Sequence, residues 1–213
     1  MNRATTESDI PYELLMKIQQ GTMSYRYRGI PLQKNPFDLA LYSLLLDRMK
    51  PRTLIEIGSY AGGSAIWFAD QARLLELDLE VYSIDLEVPA AAAPPSVHFL
   101  RGDARALEGT LPPPFMSAIR HPLLVVEDSS HLAGTTAAVL DFFDPWLQSG
   151  EYIVIEDGIL SDMRVADLYE GGPLRAIEEF LERSAGRYEI DRSYCDYFGR
   201  NVTWNVNGYL RRR

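Results

Sequence analysis

At 213 residues, 46% of them hydrophobic and 24% charged, the chain has enough apolar material for one domain with a substantial core, and too little length for two ordinary ones. A formal charge of −9 gives no broad electrostatic support to a nucleic-acid or anionic-membrane partner. No run approaches a membrane span, the N-terminus lacks a charged-then-apolar signal pattern, and the single cysteine, Cys195, excludes an internal disulfide framework, so a cytoplasmic protein is expected.

Residues 1–10 are polar and are expected to be loose. Tyr12 to Gln20 reads as a short helix, followed by a loop from Tyr27 to Lys34 rich in aromatic and cationic groups. Asn35-Pro36 opens a second helix, with Asn as cap and Pro in the first turn. Phe37, Leu41, Leu44, Leu45 and Met49 mark its apolar face up to Pro51. This reading makes residues 1–50 a helical lid or extension and 51–213 the main domain of one compact unit. The aromatics Tyr12, Tyr25, Tyr27 and Phe37 fit either a homo-oligomer contact or a substrate lid.

The organising stretch is Thr53 to Ser64. Thr53–Ile57 is short, β-branched and mostly apolar, as a buried strand is, and Gly58, Gly62 and Gly63 then form a tight turn into a helix running to Asp70. Ser64 adds a hydroxyl near the helix start. Further strands are predicted at 80–85, 97–101, 123–127 and 152–155, with helices over Thr135–Leu147 and Pro173–Arg183. Residues 88–95, rich in Ala and Pro, read as a surface excursion, and 159–172 as a mobile loop. Two antiparallel strands are expected around Tyr194–Phe198 and Val202–Leu210, and Arg211-Arg212-Arg213 as a solvated tail. Strands alternating with helices before a closing hairpin predict a doubly wound, Rossmann-like α/β sheet with helices on both faces.

Acidic residues recur at the carboxyl ends of these strands, the edge where open α/β sheets bind ligands: Asp85, Asp103, Asp128, and Glu156 with Asp157. Asp85 stands one βαβ step past the glycine turn, where an acid binds ribose hydroxyls; the alternative is a strand-end cap. Asp103 suits an adenine amine or a helix N-cap equally. Asp128, Glu156 and Asp157 follow the two most apolar strands and should converge beside the turn, where such oxygens repel unless a hard cation such as Mg²⁺ is shared among them. Of the three histidines, His98 falls inside a short strand and His121 precedes Pro122. His131 lies three residues past Asp128, with the titration range of a proton-abstracting group.

Taken together, several motifs in order resemble the class I S-adenosylmethionine-dependent methyltransferases, and more narrowly the cephalosporin hydroxylase/rhamnosyl O-methyltransferase family. They are Gly29-Ile-Pro-Leu-Gln-Lys-Asn-Pro-Phe-Asp38 with Tyr42, Glu56-Ile-Gly58 with Gly62-Gly-Ser64, Gly102-Asp103, Asp128-Ser-Ser-His131, Ile155-Glu-Asp157, Gly172 to Phe180, and Gly208-Tyr-Leu210. The resemblance implies seven strands with the last antiparallel. It implies S-adenosylmethionine across the glycine turn, with Glu56, Gly58, Ser59, Tyr60, Gly62, Gly63 and Ser64 on the methionine half, Asp85 on the ribose, and Asp103 and Asp128 completing the cofactor set. It also implies Mg²⁺ on Asp128, Glu156 and Asp157. His131 occupies the place of a lysine in the more distant metal-dependent catechol-type enzymes, and so is the expected base, with Asp128 beside it.

The expected activity is methyl transfer to a hydroxyl of a small molecule, a natural product or its sugar. Three rivals stand beside it. A non-haem iron oxygenase needs two well-placed histidines and a carboxylate, which the chain does not supply. A dinucleotide dehydrogenase shares the glycine turn and the acid after strand two, but lacks the G-x-G-x-x-G spacing. A non-catalytic cofactor-binding partner would have no use for His131 and the acidic trio.

Overall fold

Ladder pairing in the computed structural model, which describes residues 5–213, places seven strands in one sheet. A small antiparallel pair, β1 (Arg26–Tyr27) and β2 (Ile30–Pro31), stands apart from it. The sheet is built from β3 (Thr53–Ile57), β4 (Glu80–Asp85), β5 (Val97–Arg101), β6 (Leu123–Glu127), β7 (Tyr152–Ile155), β8 (Tyr188–Ile190) and β9 (Tyr209–Arg212). Their order is β5-β4-β3-β6-β7-β9-β8, parallel except for β9, which runs antiparallel to both its neighbours. Strand order reverses between β3 and β6, so the crevice at their carboxyl ends is the expected ligand position.

Every residue of β3, β6 and β7 is buried, which explains their near-continuous apolar composition. Alternation along them divides the core in two. Ile55, Ile57, Val125 and Ile153 face one side with Val139, Phe143 and Phe180, whereas Leu54, Val126 and Val154 face the other with Tyr42, Leu45 and Phe68. The first side is covered by α5 (Ala133–Phe143) and α6 (Gly172–Arg183), the second by α2 (Pro36–Met49) and α3 (Gly63–Leu74). The remaining helices are α1 (Tyr12–Ser24), α4 (Pro113–Ala118) and α7 (Arg192–Cys195). The cap of α2 is as expected: Asn35 accepts from the amides of Phe37 and Asp38, and proline follows it.

Four expectations need correction. Residues 1–4 lie outside the described residues, but 5–10 are not loose: Ser8 Oγ donates to the Asn201 carbonyl at 2.8 Å and the Asp9 amide to that of Arg200 at 2.9 Å. The segment 159–172 is packed rather than loose, because 3₁₀ turns at Gly158–Ser161 and Ala166–Tyr169 bury Ile159, Leu160 and Met163 in the core. Tyr194–Phe198 forms no strand. Asp191 caps α7 by accepting from Ser193, Tyr194 stacks on Tyr209 with ring centroids 5.3 Å apart, and the pairing partner of β9 is Tyr188–Ile190. The C-terminal arginines are not a free tail: Arg211 and Arg212 lie in that ladder, Arg212 pairs with Asp144 at 2.9 Å, and Arg213 pairs with Glu189 at 3.0 Å.

Candidate active site

The ladder itself assembles the site. Gly58 donates its amide to Ile84, Asp128 to Ile57 and Glu156 to Glu127, each within 2.9 Å, so the first residues past β3, β6 and β7 stand side by side. A cleft of about 720 Å³ opens there, lined by the glycine turn, Asp85, Asp103, Asp128, His131 and Asp157. Its size suits a small-molecule or cofactor site.

The close approach permitted by the turn's glycines is first of all to the chain itself. Gly58 has φ +103°, and a Cβ there would meet the Asp128 carbonyl oxygen at 2.0 Å; one on Gly62, at φ +83°, would meet the Phe99 ring at 2.6 Å. A Cβ on Gly63 would stand 2.2 Å from the Pro31 carbonyl, so the opening of α3 is pressed against the loop that leads to Lys34. Beneath the turn Glu56 is fully buried. It accepts from Ser83 Oγ at 2.5 Å, and Ser83 in turn lies 2.6 Å from Ser59 Oγ. Ser64 is buried at the head of α3, and Tyr60 is exposed at the rim. Each oxygen of Asp85 accepts one main-chain amide, from Tyr60 at 2.8 Å and Leu86 at 2.7 Å. Such a carboxylate retains lone pairs toward the cleft. Asp103 accepts from the Arg105 amide at 2.9 Å in a local turn and caps no helix, since the next helical turn is Leu107–Gly109 with Ala106 before it.

Beside the turn, donor atoms of Asp128, His131 and Asp157 lie within 4.8 Å of one another. His131 and Asp157 both adopt left-handed backbone, φ +58° in each, and their side chains meet at 3.3 Å between Nε2 and Oδ2. Non-glycine residues in that region are uncommon and concentrate at functional sites. Burial pushes the carboxyls of Asp128 and Asp157 up. His131 is pulled down by burial, but Asp157, Asp128 and the acids behind them outweigh it and raise the imidazole. Glu156 sits deeper, raised to about 7 by burial and then by Asp128. Its Oε1 accepts from Lys34 Nζ at 2.5 Å and from the Tyr42 hydroxyl at 2.6 Å.

Lys34 and Tyr42 are the residues that the sequence reading left without a role. The Lys34 ammonium is buried and also reaches Asp128 Oδ2 at 2.9 Å. Lys34 and Tyr42 both fall in the motif from Gly29 to Asp38 with Tyr42, but nothing in that motif reveals a bond made 122 residues away. The other two histidines lie elsewhere, His98 on Glu80 at 2.7 Å and His121 on Glu151 at 2.6 Å. Cys195 is buried, which pushes its thiol up to about 12, in keeping with a packed hydrophobe.

Two carboxylates and a third behind them, crowded enough for burial to raise them all, fit a hard divalent cation. Mg²⁺ favours oxygen and keeps several of its waters, which leaves the imidazole better suited to proton transfer than to ligation. The turn and Asp85 present a carboxylate and close-packed main chain to the cleft, a fit for a nucleoside-containing cofactor.

Comparisons with known proteins show what the chain is similar to. A rhamnosyl O-methyltransferase from Mycobacterium leprae is 29% identical over 197 residues, covering 88% of this chain and 82% of its own. A CmcI structure described with Mg and S-adenosylmethionine is 26% identical with TM-score 0.69, over 90% of this chain and 77% of that one. The apo structure of CmcI gives 27% and 0.71, over 89% and 76%. The model of the rhamnosyl O-methyltransferase/CmcI family matches residues 19–213, and the chain belongs to that family.

Proposed function

We propose that the cleft binds S-adenosylmethionine along the glycine turn and methylates an acceptor held at Asp128, His131 and Asp157. The chain is an S-adenosylmethionine-dependent O-methyltransferase acting on a hydroxyl of a small molecule. The observation that carries the assignment of roles is the convergence of those three side chains on one cleft with the glycine turn.

The cofactor supplies an electrophilic sulfonium methyl, so the protein's task is positioning and proton handling. Glu56, Gly58, Ser59, Tyr60, Gly62, Gly63 and Ser64 shape the methionine end, Asp85 accepts from the ribose hydroxyls, and Asp103 and Asp128 complete the contact. Asp128, Glu156 and Asp157 would hold Mg²⁺, which when bound lowers the pKa of a coordinated hydroxyl and fixes its direction. His131 takes the acceptor proton as the oxygen forms its bond to the methyl carbon and the sulfur–carbon bond breaks. The products are a methyl ether, S-adenosylhomocysteine and the proton on His131. Lys34 and Tyr42 keep Glu156 oriented throughout.

Calorimetric titration of S-adenosylmethionine and, separately, Mg²⁺ into wild type and Asp157→Ala tests this. Wild type is expected to bind both, and the variant to lose the Mg²⁺ heat. Absence of cofactor binding would sink the reading.

A further inference from the structure

Next to the acidic cluster, the cleft carries a wall that none of these roles uses. Leu160, Met163 and Trp204 are buried there, 8%, 7% and 4% exposed, while Tyr169 is half-buried and Met23 is open at the mouth. Trp204 and the Leu160–Met163 turn are one structure: the Ile159 amide donates to the Trp204 carbonyl at 3.0 Å, and that of Met163 to Ile159 at 3.0 Å.

The wall is pre-set. Trp204 Nε1 donates to Gln19 Oε1 at 2.7 Å, which fixes the indole and ties α1 over the cleft. Met23 lies one helical turn beyond Gln19 on the same face. The Arg164 guanidinium lies 4.4 Å from the Tyr12 ring centroid, a second tie between α1 and the segment after β7. Tyr169 meets His131 edge-on with ring centroids 5.9 Å apart, so the wall begins directly against the expected base.

Charge settles what such a wall accepts. Among the described residues lining the cleft, the lysine and arginine side chains are Lys34 and Arg105. Lys34 is buried against Asp128 and Glu156, and Arg105 Nε is on Thr135 Oγ1 at 3.0 Å, beside Asp103. An acceptor with its own carboxylate or phosphate would have to desolvate that charge against Leu160, Met163 and Trp204 with no cation of the wall to pair with. A ring with an apolar face gains instead from burial against Trp204, Tyr169 and the two methionines.

We propose that Met23, Leu160, Met163, Tyr169 and Trp204 form the acceptor subsite, and that it takes an uncharged acceptor whose reacting hydroxyl is borne on a ring with an apolar face. This rests on the methyltransferase reading of the same cleft and adds to it the class of substrate and the residues that select it. Gln19 is a positioning residue: it acts through Trp204.

The test uses two probes with the same diol and ring, 4-methylcatechol and 3,4-dihydroxybenzoate. Each is titrated calorimetrically into the full chain saturated with S-adenosylhomocysteine, with Mg²⁺ present throughout. The uncharged probe is expected to bind about tenfold more tightly than the anion, and Met23→Lys, a change at an exposed position, to bring the two within about twofold. Gln19→Leu is expected to weaken 4-methylcatechol about fivefold while S-adenosylhomocysteine affinity stays unchanged. Equal or tighter binding of the benzoate, failure of 4-methylcatechol to bind, or a ratio unmoved by Met23→Lys would overturn the proposal. Failure of the underlying methyltransferase reading has a different signature, since wild type would then not bind S-adenosylhomocysteine at all.

Discussion

Lys34 Nζ lies 2.5 Å from Glu156 Oε1 with both side chains almost wholly out of solvent, so a loop before α2 and the end of β7 are joined by a buried ion pair at the centre of the site. Burial pulls the ammonium's pKa down, and Asp128 and Glu156 more than reverse that and raise it. The Tyr42 hydroxyl shares the same carboxylate oxygen. Removing one member of a buried pair strands the other, at a cost of about 3–5 kcal/mol. Lys34→Met is therefore expected to lower the urea-unfolding free energy by about that amount, and Lys34→Met/Glu156→Gln to recover more than half of it. A double variant no more stable than the single would show that Lys34 supports the fold through something other than this pair.

Asp38 supplies a pH dependence of known sign. Burial pushes its carboxyl up to about 8, with Glu156 adding to the rise and the bond to Thr203 opposing it. Below about pH 4 folded and unfolded chains both carry this proton; above it the unfolded chain releases the proton while the folded one keeps it, until about pH 8. Stability contributed by Asp38 is thus fully present at low pH and lost as pH rises through the folded value. Glu127, also raised to about 8 by burial, acts in the same direction. The protonated carboxyl receives the Trp204 amide at 3.0 Å and the Asn35 side-chain amide on one oxygen and faces Thr203 Oγ1 with the other, an arrangement that an asparagine amide reproduces. Asp38→Asn is expected to flatten the fall in the urea midpoint between pH 5 and 8 and to leave the protein more stable than wild type at pH 8. An unchanged slope would remove Asp38 as its source.

The parts of this molecule legible in its sequence were those governed by local rules. Thr53–Ile57 and Leu123–Glu127 announce buried parallel strands by continuous apolar composition, Asn35-Pro36 announces a helix start, and acids after successive strands must meet because the ladder keeps them in register. What escaped was held together by non-local bonds. The turns over 196–207 are organised by Asp38, Arg192 and Asn201 rather than by periodicity, and so were misread as strand. Gln19 and Trp204 carry no motif of their own, and the motif that holds Lys34 does not name its partners; the significance of all three lies in contacts 94 to 185 residues away.

His131 is expected to act as the base, and its titration should report the ion. In the metal-free protein burial lowers its pKa, but Asp157, Asp128 and the acids behind them raise it more. A base works in its neutral form, so activity should rise with pH through this titration. A divalent cation on the same carboxylates cancels their pull and favours neutral imidazole, so Mg²⁺ should move the His131 titration, followed by NMR, to lower pH. His131→Asn should lower kcat by about 10²–10⁴-fold with cofactor affinity unchanged. A titration that Mg²⁺ leaves in place, or a variant with wild-type kcat, would take the proton away from His131.

Gly58 offers the sharpest contrast between two glycines. At φ +103° any side chain is strained there, and an added Cβ would overlap the Asp128 carbonyl at 2.0 Å, in rigid main chain that cannot yield cheaply. Gly58→Ala must therefore push β6's end away from the turn, which separates the expected cofactor contacts from Asp128. Loss of stability well beyond the ~1 kcal/mol of an ordinary substitution is expected. At least a tenfold weaker affinity for both S-adenosylmethionine and Mg²⁺ should accompany it, by roughly the 1.4 kcal/mol that one decade represents. Gly21 lies within α1 with no atom within 4 Å of an added Cβ, and Gly21→Ala should instead stabilise by about 0.5–1 kcal/mol through helix propensity alone. Thermal unfolding and calorimetry on the two variants separate the cases. If Gly58→Ala kept its cofactor affinity while losing only stability, the turn would serve the packing of β3 against β6 and not the geometry of the cleft.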